Sequence, residues 1–200
     1  MTKEAHPEYP IHDLIANRWS PYAFDDRSVS EEDLCSVLEA ARWAPSSYNE
    51  QPWAFIVATK DNPAEHEKIV SCLVEGNQPW AKAAPVLMLG CVFYQFNRNG
   101  KPNPAAEHDL GLASGNLTLE ATARGLYVHQ MIGIEPAKAK EVFGLPDGVE
   151  AKTGLALGYV ADPSVLPEGY KERDLAPRER KPLKDFVFTG KWGEATKLVK

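Results

Sequence analysis

Cysteine is scarce in this chain. Its three cysteines, Cys35, Cys72 and Cys91, stand far apart in apolar stretches, and none has a metal-ligand spacing. An odd, dispersed set excludes a disulfide framework and fits reduced thiols, so a cytoplasmic location is expected. Long hydrophobic runs are missing as well. The longest, around 85–93, falls far short of the roughly 20 residues a membrane-spanning helix needs, and no basic stretch leads into an apolar one at the start. Positive charge is in deficit, with a formal net charge of −6. That balance argues against nucleic acid or an anionic membrane as partner. The sequence also lacks a Gly-x-Ser-x-Gly elbow, which removes Ser46 and Ser47 as hydrolase nucleophiles. His108-Asp109 and His129-Gln130 are isolated pairs, more often structural than metal-binding, and no metal site is expected. Internal repeats and low-complexity tracts are absent.

Against that background two polar clusters stand out. Arg-Trp-Ser-Pro-Tyr-Ala occupies 18–23, and Ala-Pro-Ser-Ser-Tyr-Asn-Glu-Gln-Pro-Trp occupies 44–53. The second packs Ser46, Ser47, Asn49 and Gln51 between Pro45 and Pro52. Hydrogen-bonding side chains on a loop stiffened by prolines suit a polar ligand edge held at fixed geometry. A third cluster, Arg178-Glu179-Arg180-Lys181-Pro182, places three cations within four residues of an otherwise acidic chain. Its ordinary reading is a solvated run. A phosphate dianion needs two or more cations, however, and Arg18 with Ser20 offers a second such region.

At 200 residues, 44% of them hydrophobic, one domain with a sizeable core is expected. The pattern predicts a short helix ending near Arg18, a helix from Ser30 to about Trp43, a strand over 54–59 and a helix over 63–75 begun by Pro63. A strand over 85–93 covered on both faces follows, then a long apolar helix over 103–125. A strand at 126–129, a helix at 136–143 closed by Gly144 and a strand at 152–160 complete the core. The long helix needs burial on more than one side, and a second subunit is a natural cover. Residues 162–182 are expected to wrap the surface. Phe186, Phe188 and Trp192 in the tail 183–200 are expected to dock on the partner chain, the alternative being a frayed end. Phe93, Tyr94 and Phe96, followed by Asn97-Arg98-Asn99-Gly100-Lys101, fit either a lid or the end of a core strand with a solvated turn.

In order and spacing the chain resembles the FMN-dependent nitroreductase family. The matching pieces are Arg18-Trp19-Ser20 with Phe24, Leu38-Glu39-Ala40-Ala41 leading into Ala44-Pro45-Ser46-Ser47, then Asn49 and Gln51-Pro52-Trp53. Ala84-Pro85-Val86, Asp109, Gly111, Ala113, Asn116, Ala123, Gly125-Leu126, Gly133, Leu157-Gly158-Tyr159, Arg178, Arg180 and Lys181-Pro182-Leu183 continue the match. The resemblance implies an α+β fold, with a central, mostly antiparallel sheet flanked by helices, in an interlocked homodimer. One domain would span 1–182, with two FMN molecules at the subunit interface. It implies that Arg18 and Ser20 meet the flavin pyrimidine edge and phosphate, with Trp19 and Tyr22 in the same stretch. Pro45, Ser46, Ser47, Asn49 and Gln51 would reach FMN largely from the partner. Gln130, Met131 and Ile132, before Gly133, would lie beside the ring, Asn77 would match a flavin-contacting asparagine, and Arg178 and Arg180 would take the phosphate.

The implied activity is hydride transfer from NADH or NADPH through flavin N5 to a nitroaromatic, quinone or similar electron-poor acceptor, in alternating half-reactions. A flavin-binding storage or sensing protein without turnover is the alternative, and reductive dehalogenation a weaker third. Tyr22 stands where many members carry a basic residue. Ile132 and Ile134 flank Gly133 where many carry a second glycine or an acid.

Overall fold

The apolar run at 85–93 becomes the strand around which everything else is arranged. In the computed structural model, which describes Lys3 and residues 5–199, β2 (Val86–Phe93) lies between β1 (Trp53–Thr59) and β4 (Val149–Gly158). β3 (Tyr127–Met131) pairs on the far side of β4. All pairings are antiparallel, in the order β1-β2-β4-β3, so β1 and β3 are opposite edges. Along β2, Leu87, Leu89 and Cys91 join one core while Val86 and Met88 join another. Successive side chains point to opposite faces, and both faces are covered, which is why the run carries no polar alternation.

One face is covered by α2 (Glu31–Arg42) and α5 (Ala106–Ala123), through Val37, Ala41, Ala113, Leu117 and Ala121. The other is covered by α3 (Pro63–Ser71), α4 (Gln78–Ala81) and α6 (Pro136–Phe143), through Ile69, Val70, Trp80 and Ala139. The start and stop signals act as the residue types dictate. Ser30 Oγ accepts the Asp33 N–H at 3.0 Å, Pro63 and Pro136 open their helices, and Gly144 closes α6 at φ +63.

Several boundaries differ from the sequence pattern. α3 ends at Ser71, because Leu73 instead bridges to Ile134 and the Cys72 carbonyl accepts the Glu135 N–H at 2.8 Å. α4 was not expected. Four residues do not form a helix unaided, and this one is held by Trp80, which is 1% exposed. α5 begins at Ala106 rather than 103, since Asn103 Oδ1 accepts the Ala105 N–H in a local turn. β3 runs on to Met131, and β4 starts at Val149. The stretch expected to wrap the surface contains a further helix, α7 (Tyr170–Leu175).

The two ends of the chain are clasped together. Asp174 Oδ1 accepts the Tyr22 N–H at 2.6 Å, and Lys3 Nζ donates to the Ala176 carbonyl at 2.8 Å. Arg178 Nη1 donates to the Lys3 carbonyl at 2.6 Å and to the Ala16 carbonyl. These contacts lay residues 176–183 beside α1 (Asp13–Asn17) and the segment before it.

At Gly158 the sheet admits no side chain. A Cβ there would stand 2.5 and 2.7 Å from the Pro85 ring and 3.1 Å from Phe24. Proline cannot swing aside, so Gly158→Ala is expected to cost about 1–3 kcal/mol, the usual range for overpacking. Equilibrium denaturation checks this, and an unchanged midpoint would contradict the packing described.

Candidate functional site

The clasp builds a cavity of about 750 Å³ lined by Arg18, Arg178, Arg180 and Lys181 on a background of Tyr9, Ile11, Ile15, Leu183 and Phe186. Among the described residues none of the four cations is ion-paired to a carboxylate. Arg178 and Arg180 each donate to main-chain carbonyls, Arg180 to its neighbour Glu179 at 2.6 Å. Carbonyls satisfy guanidinium hydrogens without cancelling the charge. Burial lowers the Arg18 pKa from its usual value, and the Arg178 and Arg180 charges lower it further. Burial and Arg180 do the same to Arg178. An arginine stays charged under such shifts; Glu8 also lines the cavity, but the four cations outnumber that one carboxylate and favour an anion.

Ser20 completes this group, with Arg18 Nη1 donating to its Oγ at 3.4 Å. The neighbouring aromatics turn the other way. Trp19 is 4% exposed and packs edge-on against Tyr127, leaving only its backbone within reach of a ligand. Tyr22 sits against Trp80, His129 and Tyr170. His129 Nδ1 lies 2.9 Å from the Pro21 carbonyl, so that nitrogen carries the proton, and burial lowers the pKa of the ring. These rings form one packed aromatic cluster.

The loop 45–51 lies elsewhere and does not line the cavity. Three of its non-glycine residues adopt left-handed backbone: Tyr48 at φ 54, Asn49 at φ 54 and Gln51 at φ 52. Such conformations are unfavourable, most of all for a bulky residue, and persist only where surroundings enforce them. Here Asp109, 2% exposed in the first turn of α5, accepts the Ser47 N–H through Oδ2 at 3.0 Å. Ser46 Oγ accepts the Gln51 N–H, also at 3.0 Å, and Gln51 Nε2 donates to the Asn49 carbonyl at 3.1 Å. Pro45 is exposed and ends the turn after α2. The role of Asp109 was not read from the sequence beyond its place in the motif; a carboxylate on a largely apolar helix was the available signal.

Tyr48 is thereby held 74% exposed. The Arg98 guanidinium stacks 3.9 Å from its ring, and Phe96 meets it edge-on. Arg98 comes from a small hairpin at 95–102, closed by the Gln95–Pro102 bridge and tied to the loop where Glu50 accepts the Asn97 N–H. Tyr94 donates its hydroxyl to Glu107.

A third group gathers at the end of β3. Gln130 turns toward α5, where its Nε2 donates to Thr118 Oγ1 at 2.8 Å and to the Ser114 carbonyl at 3.2 Å. Met131 is buried, Ile132 is 90% exposed, and Gly133 contacts Asn77, whose Nδ2 donates to the Gly133 carbonyl at 2.9 Å. The residues singled out in the sequence thus form three groups within one chain: Arg18, Ser20, Arg178 and Arg180; the loop 45–51; and Asn77 with 130–133. The first two stand apart, the loop entering β1 at one edge of the sheet and Trp19 packing on β3 at the other.

If the left-handed backbone at Tyr48 is a source of strain, glycine should tolerate the position better than alanine. Tyr48→Gly is expected to be more stable than Tyr48→Ala by about 1 kcal/mol. Paired denaturation curves measure this difference, which would take the opposite sign for an ordinary right-handed turn.

Comparison with known proteins agrees with the fold. The Nitroreductase family matches residues 15–73 and 60–159. A solved structure described as the oxidoreductase containing FMN superposes with a TM-score of 0.89 at 38% identity, covering 94% of this chain and 96% of the other. A putative NADH dehydrogenase/NAD(P)H nitroreductase of Archaeoglobus fulgidus is 28% identical over 90% of this chain and 97% of its own length. The major NAD(P)H-flavin oxidoreductase of Aliivibrio fischeri is 28% identical over 88% and 96% respectively. The antiparallel sheet with helices on both faces, the ordered motifs and the family match lead to one conclusion: the chain belongs to the nitroreductase family.

Proposed function

We propose that this protein is a homodimeric, FMN-dependent oxidoreductase that takes reducing equivalents from NADH or NADPH and delivers them to a nitroaromatic, quinone or similar electron-poor acceptor. The observation that carries the reading is the cluster of Arg18, Arg178, Arg180 and Lys181 around one cavity, none of them ion-paired among the described residues and together outnumbering its one lining carboxylate, Glu8. Its volume of about 750 Å³ is in the range of small-ligand and cofactor sites, and its charge suits a phosphomonoester. The relatives described as FMN-containing or as NAD(P)H-flavin oxidoreductases support the same choice.

Bound FMN supplies two-electron chemistry, accepting hydride from the nicotinamide and passing it on. The protein's own residues bind and orient. Arg178, Arg180 and Lys181 hold the phosphate, and Arg18 with Ser20 reaches the phosphate and the pyrimidine edge. The Arg18 charge also favours the reduced, more negative form. The Gly133 turn with Gln130, Met131 and Ile132 lies along the ring. The loop of Pro45, Ser46, Ser47, Asn49 and Gln51 comes from the second subunit, since in one chain it sits at the opposite sheet edge. α5 has room for that subunit: Gly111 and Gly115, one turn apart, have nothing within 4 Å of where a Cβ would stand. In the tail, Trp192 is 92% exposed and Phe186 57%, apolar surface that docking on the partner would cover.

Purified protein is expected to be yellow, or to become so on adding FMN, and to elute as a dimer. Arg18→Ala and Arg180→Ala should each weaken FMN binding about 10–100-fold, the value of one charge-assisted hydrogen-bonding group. Anaerobic mixing with NADPH and NADH in a stopped-flow instrument should bleach the flavin band. A colourless protein that takes up no FMN overturns the cofactor assignment. A yellow one that neither nucleotide bleaches overturns the enzymatic one.

A further inference from the structure

Asn77 precedes α4 in the position of an N-cap, yet its side chain makes no capping bond. Asparagine there ordinarily accepts an N–H from the first turn of its helix. Its amide crosses instead to the turn after β3, donating to the Gly133 carbonyl at 2.9 Å, and the Val74 N–H reaches the same oxygen at 3.1 Å. One carbonyl therefore accepts two donors. The peptide to which it belongs continues to the Ile134 N–H, which donates to the Ile132 carbonyl at 2.8 Å. That carbonyl is in turn part of the peptide carrying the Gly133 N–H. Among the described residues no protein acceptor takes the Gly133 N–H.

Two of these bonds, joined by two consecutive peptides, form a chain from the Asn77 amide to an unused main-chain donor, with the Val74 N–H as a second donor at its first carbonyl. Each hydrogen bond polarises the peptide it touches, and the effects of successive bonds reinforce one another. The turn is also sterically fixed. A Cβ on Gly133 would lie 2.5 Å from Asn77 Nδ2 and 2.9 Å from Val74 Cγ2, so a side chain there would push the Asn77 amide out of place. Ile132, 90% exposed, leaves the outer side of the turn open to a ligand.

We propose that Asn77 is a positioning residue acting through this chain: by donating to the Gly133 carbonyl it fixes and polarises the turn, strengthens the Gly133 N–H as a donor, and raises the preference of the site for reduced over oxidised flavin. The proposal rests on the FMN reading above. It gives Asn77 a role at one remove, in place of the direct flavin contact that the resemblance implies. A stronger donor beside the ring stabilises the form with more negative charge, whereas a side chain that only shaped the pocket would act on both forms alike.

Asn77→Leu removes the donor while keeping similar volume, and Asn77→Ser keeps a donor on a smaller side chain. For the parent and both variants, the dissociation constants of oxidised and reduced FMN are measured together with the two-electron midpoint potential, by equilibration with a reference dye. Asn77→Leu is expected to lose about tenfold in preference for reduced FMN, which lowers a two-electron potential by about 30 mV, with Asn77→Ser in between. Equal weakening of both forms, or an unchanged or raised potential, overturns the proposal. If Asn77→Leu does not fold, Asn77→Ser decides by the same criterion. A parent protein that takes up no FMN overturns the cofactor reading itself, and the proposal with it, before any variant is compared.

Discussion

The Arg178 guanidinium holds the architecture of the site together, because it binds the chain ends through carbonyl oxygens. Its Nη1 reaches both the Lys3 and the Ala16 carbonyls, residues more than 160 positions away in sequence. A carboxylate in that place would have served the clasp equally well and would have neutralised the charge. Carbonyls leave it in force, so one side chain fastens the C-terminal segment and contributes to the anion site it creates. The Asp174 contact with the Tyr22 N–H and the Lys3 contact with the Ala176 carbonyl share the fastening. Arg18 and Arg180 can therefore line one cavity despite mutual repulsion. The unfavourable energy of gathered like charges is what a bound anion would relieve.

Sheet order imposes a second constraint. With β1 and β3 at opposite edges, three inter-strand spacings of about 4.8 Å each separate the strand fed by the loop 45–51 from the strand that leads into the Gly133 turn. One chain presents the two halves on different flanks. A two-fold axis beside α5 would set the loop of one protomer against the turn of the other, which gives the small residues Gly111 and Gly115 a reason beyond helix propensity, in which glycine is unfavourable.

Much of this was legible in the sequence wherever a residue's local chemistry matched its tertiary role. The β2 run has no polar positions because both its faces are covered. Ser30, Pro63, Pro136 and Gly144 mark helix ends by the hydrogen bonds and dihedrals their side chains permit. Arg18, Arg178 and Arg180 were notable as cations in an acidic chain, and a shared cavity now joins them. What escaped notice depends on partners far away in sequence. α4 exists because Trp80 is buried, and α7 brings Asp174 to Tyr22; neither short helix has a periodic signal. Trp19 and Tyr22 lie beside the cavity-lining Arg18, but their rings pack inward, and no pattern along six residues distinguishes a side chain aimed at a cavity from one aimed at a neighbouring strand. The resemblance implies a flavin contact for the Asn77 amide, and only the meeting of residues 74–77 with 132–135 reveals its partner, the Gly133 carbonyl.

The two turns proposed to meet the cofactor are stiffened by opposite means, and the difference follows from what each presents. Around Tyr48 the backbone is driven into a left-handed conformation, with buried Asp109 and the Ser46 hydroxyl supplying the bonds that hold it there, so that an aromatic ring and its Arg98 partner stand out from the surface. Around Gly133 no left-handed strain is required, and a chain of hydrogen bonds locks the peptides so that the main chain itself is offered. A planar cofactor that carries its own reactivity needs surfaces, charges and donors at fixed places more than it needs an acid or a base. A family member can accordingly do without a nucleophile or a general acid while devoting a buried aspartate, a non-capping asparagine and a guanidinium satisfied by carbonyls to positioning groups and tuning their charge.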